Sequence, residues 1–251
     1  MKKFNPQQIY EYVEKHISIF HQRRLDYVQN KVSLFKILKQ KNPYLFKAKN
    51  ILTAQDLIKG FLDAFLQSQE ETLFGDFIEG LSIFVCDKVY GAKKSEFAGI
   101  DLEFEKDGIV YVVEIKAGWN WGNSSQIRQL RINFENAKKT LSAKTGKKVV
   151  AVNGCCFGKD NKPDKNGYFK LCGQKFWEFI SNDANLYIEI IEPIGYRAKQ
   201  KNEEFLESYA KIINKLTLEF SQNFCDDGKI NWVKLVEYNS GFEKLDHARK
   251  V

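Results

Sequence analysis

Gly99-Ile100-Asp101-Leu102-Glu103-Phe104-Glu105-Lys106-Asp107-Gly108-Ile109-Val110-Tyr111-Val112-Val113-Glu114-Ile115-Lys116-Ala117-Gly118 decides how this chain is read. Apolar and acidic residues alternate from Ile100 to Glu105, the period of a strand with one buried face. Asp107-Gly108 is the residue pair that a two-residue hairpin turn selects, because both positions need a positive φ. Ile109–Lys116 is then the returning strand. With that turn Lys106 pairs with Ile109, and the same register brings Asp101 to face Glu114. Side chains alternate along a strand, so Lys116 shares a face with Glu114, two residues further on. Ile100, Leu102, Phe104, Tyr111, Val113 and Ile115 make the other face uniformly apolar, which is what specifies a register.

Directly opposed residues hold their Cβ atoms about 4.5–5.5 Å apart, where like charges repel. Two carboxylates so placed call for a cation. Oxygen-only ligands select a hard divalent ion, and Mg2+ is usually held by one or two carboxylates, waters and a substrate phosphate. Lys116 beside that ion is placed to position or activate an attacking water, an arrangement suited to phosphodiester hydrolysis. The short acid-x-Lys pattern is cheap. It recurs at Asp160-Asn161-Lys162 and Asp227-Gly228-Lys229, both in polar, turn-rich stretches. Only the copy at Glu114 ends an apolar strand with a register-matched aspartate upstream. Val110 and Val112 share the acidic face, so that face is not simply solvated.

Upstream of the hairpin the pattern is helical. Ile9, Val13, Ile17, Phe20 and Val28 recur at helical spacing. Thr53 with Asp56 opens a second helix in the manner of a capping box, and a third runs roughly from Glu71 to Tyr90, ending at Gly91. Glu79 lies on that third helix in a narrow strip of small residues (Gly75, Ser82, Cys86) between apolar ones. A carboxylate in such a strip is expected to be partly buried and to need a partner or a metal-bound water. Downstream, a helix from about Ser124 to Leu141 precedes a buried strand over Lys147–Cys155, a polar loop over Gly158–Gly167 and a short strand at Tyr168–Cys172. Helices over Gln174–Ser181, Leu186–Ile194, Glu203–Phe220 and Ile230–Tyr238 complete the chain. The expected class is α/β (α+β): a mixed central sheet with an antiparallel hairpin, flanked by helices. The expected layout is one domain, with an N-terminal helical region (1–70), a core (71–182) and a C-terminal helical region (183–251) that is a candidate for dimerisation.

The helix with Gly75 and Glu79, then Gly99-Ile100-Asp101, then Val112-Val113-Glu114-Ile115-Lys116-Ala117-Gly118 together resemble the core of PD-(D/E)XK nucleases. Within that superfamily the chain resembles type II restriction endonucleases, in particular homodimers that cut interrupted, GC-rich palindromes such as those containing GGNCC. The likeness extends to Phe74–Glu79, Lys175-Phe176-Trp177-Glu178-Phe179 and the tail from Gly228 to Leu235. One departure is that Ile100 stands where the motif name has proline. The resemblance implies Asp101, Glu114 and the Ile115 carbonyl as metal ligands, Lys116 as the catalytic lysine and Glu79 as an accessory acid. It also implies Mg2+ as cofactor, double-stranded DNA as substrate and a cognate DNA methyltransferase as functional partner. The nearest alternatives are a repair or structure-specific nuclease of the same superfamily and a non-catalytic DNA-binding protein.

The loop after the second hairpin strand, Gly118-Trp119-Asn120-Trp121-Gly122-Asn123, combines glycines, indoles and amides. It leads into a helix that Asn123 with Gln126 is placed to cap and whose start carries Ser124, Ser125, Arg128 and Arg131. A helix N-terminus with these groups suits a phosphate, so Trp119, Asn120, Asn123, Ser124, Ser125, Arg128 and Arg131 are candidate DNA contacts. A net charge of +7 in 251 residues is compatible with a polyanionic partner. Five cysteines without CxxC spacing, distant from His16, His21 and His247, argue against a structural zinc site and for reduced thiols in a cytoplasmic protein. No signal peptide is visible in Met1-Lys2-Lys3 and the polar residues behind it, and apolar runs such as Ile109–Val113 are too short to span a bilayer.

Overall fold

A computed structural model describes residues 6–242; Met1–Asn5 and His247 lie outside them. The elements in order are α1 (Pro6–Asn30), α2 (Leu34–Gln40), α3 (Pro43–Ala48), α4 (Ala54–Tyr90), β1 (Lys93–Lys94), β2 (Leu102–Lys106), β3 (Ile109–Gly118), α5 (Ser124–Thr145), β4 (Val149–Phe157) and β5 (Phe169–Cys172). Then follow α6 (Gln174–Ser181), α7 (Leu186–Glu189), α8 (Ile191–Ile194), α9 (Ala198–Phe224), β6 (Cys225–Asp226), β7 (Lys229–Ile230) and α10 (Trp232–Ser240). No helix among the described residues is long and apolar enough to cross a membrane.

The described residues divide into two compact units, one holding residues 6–20 and 73–198, the other 21–72 and 199–242. The first contains the five-stranded sheet, in the order β1-β2-β3-β4-β5. β1, β2 and β3 are antiparallel neighbours, while β3–β4 and β4–β5 are parallel. The sheet is mixed, as its sequence implies. Asp107 and Gly108 both have positive φ, at 52° and 75°, so the turn is the type the dipeptide selects. Lys106 pairs with Ile109 and Leu102 with Val113, which is the register read from the sequence.

That register changes at its last step. The Asp101 N–H donates to the Val113 carbonyl at 2.9 Å, although Val113 is already paired with Leu102. Two residues of one strand thus meet one of the other, the arrangement of a β-bulge, and strict alternation stops there. Ile100 therefore does not join Leu102 and Phe104 on the apolar face. It packs instead with Val110, Val112, Leu130 and Phe134 under α5.

Each face of the sheet has its own core. Leu102, Phe104, Val113, Ile115 and Val152 are covered by α1, α4 and α6 through Ile17, Leu81, Val85 and Trp177. Val110, Val112 and Ala151 are covered by α5. α5 starts where the sequence says it should: the Asn123 side chain accepts from Ser125 N and Gln126 N, and Gln126 reciprocates to the Asn123 N–H at 2.8 Å.

In the other unit the Thr53 hydroxyl accepts from Asp56 N and donates to its carboxylate. Two expected helices merge into the 37 residues of α4, because the Gln67–Glu71 stretch between them is itself helix-favouring. The expected Leu186–Ile194 helix is instead two short ones. The apolar stripe of α9, with Phe205, Ile213, Leu216 and Phe220, is buried in its own unit's core, so it is not a surface left over for a partner.

Gly154 sits mid-strand in β4, where a Cβ would overlap the ring of Phe176, itself wholly buried. Gly154→Ala is expected to lower stability by about 1–3 kcal/mol in denaturant melts. Combined with Phe176→Leu, the loss should be smaller than the two single losses added together. Full additivity would mean that the ring is not what the alanine meets.

Candidate active site

β3 stays buried through Ile115, and the sheet ends just beyond. Glu114, 8% exposed, projects toward α5, next to Asn153 in the parallel register of β4. Its Oε1 is 3.0 Å from Lys116 Nζ, and its Oε2 accepts from Asn153 Nδ2 at 3.2 Å. Asp101, displaced by the bulge, turns its carboxylate back on the strand: Oδ2 accepts the Ile115 N–H at 2.6 Å. Glu79 approaches from α4, half-buried, with Ser82 and Cys86 of the same strip wholly buried behind it. No hydrogen bond or ion pair holds the Glu79 carboxylate among the described residues.

The electrostatics follow from this crowding. Burial pushes the Glu114 carboxyl up to about 7, against the downward pull of Lys116 and with a further push from Asp101. Burial also raises Asp101, opposed by the Ile115 N–H, Lys116 and Lys94. Glu79 is raised by burial and then by Asp101, with Lys94 and Lys116 opposing. Three acids thus share one field with too little positive charge, the situation in which a cation is favoured. Lys94, exposed on β1, acts on two of them; sequence reading missed it because its two-residue strand has no pattern to read.

Among the described residues no three His, Cys, Asp or Glu side chains converge closely enough to hold an ion by themselves. The donors on hand are two carboxylates and, by resemblance, the Ile115 carbonyl. That set suits a hard ion that keeps some waters and takes further oxygens from its substrate.

The candidate DNA contacts divide into two groups. Trp119, Asn120, Ser124 and Arg128 are exposed beside the end of β3. Asn123 and Ser125 are engaged in the helix cap, with the Ser125 hydroxyl on Asn123 Oδ1 at 2.6 Å. Arg131 is also engaged. It donates to the carbonyls of Asn166 and Lys165 at 2.7 and 2.9 Å and lies over Tyr168, pinning the β4–β5 loop to α5.

Asn153 is the residue the sequence concealed. It is 1% exposed and reaches Glu114 on one side and the Trp121 indole on the other. Its only signal was a polar residue inside the apolar run Val149–Cys156. A cavity of about 640 Å³ lies on the α4 face, lined by Phe74, Ile78, Cys156, Trp177, Ile190 and Ile194 among others. None of the four candidate catalytic side chains lines it. Cys86, Cys155, Cys156 and Cys172 are free and buried, and Cys225 is free and half-buried.

Residues 7–202 match the family model described as Type II restriction endonuclease EcoO109I. The chain belongs to that family. It is a type II restriction endonuclease by kinship, with the mixed sheet and flanking helices of that fold. The match leaves residues 203–251, including the Gly228–Leu235 tail, outside its span. No curated protein matches the chain.

Glu114 titrates near 7 in the fold and near 4.5 otherwise. Between those values the folded state binds the extra proton, so stability falls as pH rises through the window, and the cost is complete above about pH 7. Glu114→Gln is therefore expected to stabilise the metal-free protein at about pH 8 by on the order of 3 kcal/mol. The gain should vanish toward pH 4.5. Urea melts across that range check it; a gain independent of pH would contradict the assignment.

Proposed function

We propose that this chain is a type II site-specific deoxyribonuclease that hydrolyses phosphodiester bonds of double-stranded DNA at a short palindromic site, using Mg2+. It would act as a homodimer in the cytoplasm, with a cognate DNA methyltransferase protecting the host's own sites. The observation that carries the reading is the meeting of Asp101, Glu114 and Lys116 at the end of β3, in a chain of restriction-endonuclease family.

The residues fit a magnesium ion: their donors are all oxygen, and the buried charge of Asp101 and Glu114 is incompletely neutralised. Asp101, Glu114 and the Ile115 carbonyl would hold it. When bound, magnesium supplies Lewis-acid polarisation of the scissile phosphate and favours ionisation of water near neutral pH.

The protein's own residues do the rest. Lys116, between Glu114 Oε1 and the Trp121 ring, orients the attacking water and faces charge developing on the phosphate. Glu79, raised by burial, accepts a proton at the edge of the site. Ser124 and Arg128, exposed at the start of α5, bind the neighbouring phosphate, while exposed Trp119 and Asn120 contact the duplex. Cutting both strands of a palindrome requires two such sites related by a two-fold axis, hence the dimer.

Asp101→Asn and Lys116→Ala are each expected to lower the rate of plasmid cleavage by at least about a hundredfold. Both should remain folded and retain duplex DNA in gel-shift assays with Ca2+ within a few-fold of wild type. Cleavage by Asp101→Asn within tenfold of wild type would overturn the assignment.

A further inference from the structure

We propose that Asn153 and Trp121 form a positioning pair that orients the Glu114 carboxylate for its cation and keeps Lys116 beside it; this rests on the metal reading above. An asparagine in the interior of a parallel sheet is costly unless its amide is satisfied. Here both ends are. Nδ2 donates to Glu114 Oε2 at 3.2 Å and to the Glu114 carbonyl at 3.3 Å, and Oδ1 accepts from Trp121 Nε1 at 3.0 Å.

The direction of that amide is set by chemistry. An indole N–H only donates, so the atom facing it must be the carbonyl oxygen, and the NH2 group is left to face Glu114. Turned round, the amide would set two donors against each other and an oxygen against a carboxylate. Trp121 therefore acts on Glu114 through Asn153, although among the described residues no hydrogen bond joins the two directly.

The same indole offers its ring face to Lys116, whose Nζ lies 5.0 Å from the ring centroid and 3.0 Å from Glu114 Oε1. The four side chains thus close a circuit. Glu114 is held at Oε2 by Asn153 and at Oε1 by Lys116, and both of those partners touch Trp121. A divalent ion held by Glu114 would compete with the Lys116 ammonium for the carboxylate. The ring face gives the displaced ammonium a favourable neighbour inside the site. An apolar residue at 153 would leave Glu114 Oε2 and Trp121 Nε1 without these partners, so what asparagine adds is the three polar bonds.

The test is Mn2+ binding to the metal-free protein without DNA, followed by electron paramagnetic resonance, for wild type, Asn153→Ala, Trp121→Phe and the double variant. Trp121→Phe keeps an aromatic face at a half-buried position and removes only the N–H donor, so it guards against a failure of Asn153→Ala to fold. Asn153→Ala should weaken Mn2+ binding about tenfold or more, in the range found for groups that orient metal ligands. Trp121→Phe should weaken it about threefold or more by the same route. The double variant should bind no worse than Asn153→Ala alone. Single variants that bind Mn2+ like wild type, with lower melting temperatures, would make the pair merely structural and overturn the proposal. Losses that add in the double variant would overturn the route through Asn153. A wild type that binds no Mn2+ would instead sink the metal reading and this inference with it.

Discussion

A carboxylate built into the last buried stretch of a central strand is costly, and much of the sheet unit answers that cost at Glu114. Its proton is held up to about pH 7 by burial, so the uncharged form is the easier one to accommodate near neutrality. What makes the charged form tolerable is an ammonium on one oxygen and an amide on the other. Neither removes the charge; they leave room for a cation. The hairpin that carries Glu114 also carries Asp101, and the bulge at Asp101 turns a second carboxylate into the same field. Stability is given up at this point for a site, the exchange expected where local rules are broken for function.

The two faces of the sheet divide the labour. On the α4 side the strands meet apolar side chains, and Glu79 is the acid that reaches the site from that layer. On the α5 side the apolar residues stop at Val112, and the polar set of Glu114, Asn153 and Trp121 begins. α5 therefore both closes the core and presents its N-terminus at the end of β3. Arg131, expected at the DNA, holds the β4–β5 loop in place through two carbonyls. That loop and the Trp119 loop leave the sheet side by side. Lys170 ties them together through the Trp119 carbonyl at 2.6 Å.

The hairpin was legible because a single dipeptide, Asp107-Gly108, fixes both turn and register, and the pattern of one apolar face agrees with it. Asn123 and Gln126 announced α5 in the same local way. Three things could not be read, each because it depends on neighbours distant in sequence. Ile100 looked like one more inward residue, since alternation cannot reveal a bulge. Asn153 looked like a blemish in an apolar strand, because pairing with Glu114 exists only once β3 and β4 lie side by side. Lys94 belongs to a strand of two residues, defined by its partner alone. The short acid-x-Lys copies came out as the sequence suggested: Asp227-Gly228 forms the turn of a two-residue hairpin, and Asp160 is bound to Lys165 within a loop.

The most direct measurement is digestion of unmethylated phage DNA by the wild-type protein, with Mg2+ and with EDTA, followed by sequencing of the fragment ends. The account predicts discrete fragments only with Mg2+, all ending within one short palindrome. Ends scattered along the DNA would place the activity with structure-specific or repair nucleases. No cleavage with any divalent ion would contradict the account, leaving Asp101, Glu114 and Lys116 as a site without the reaction.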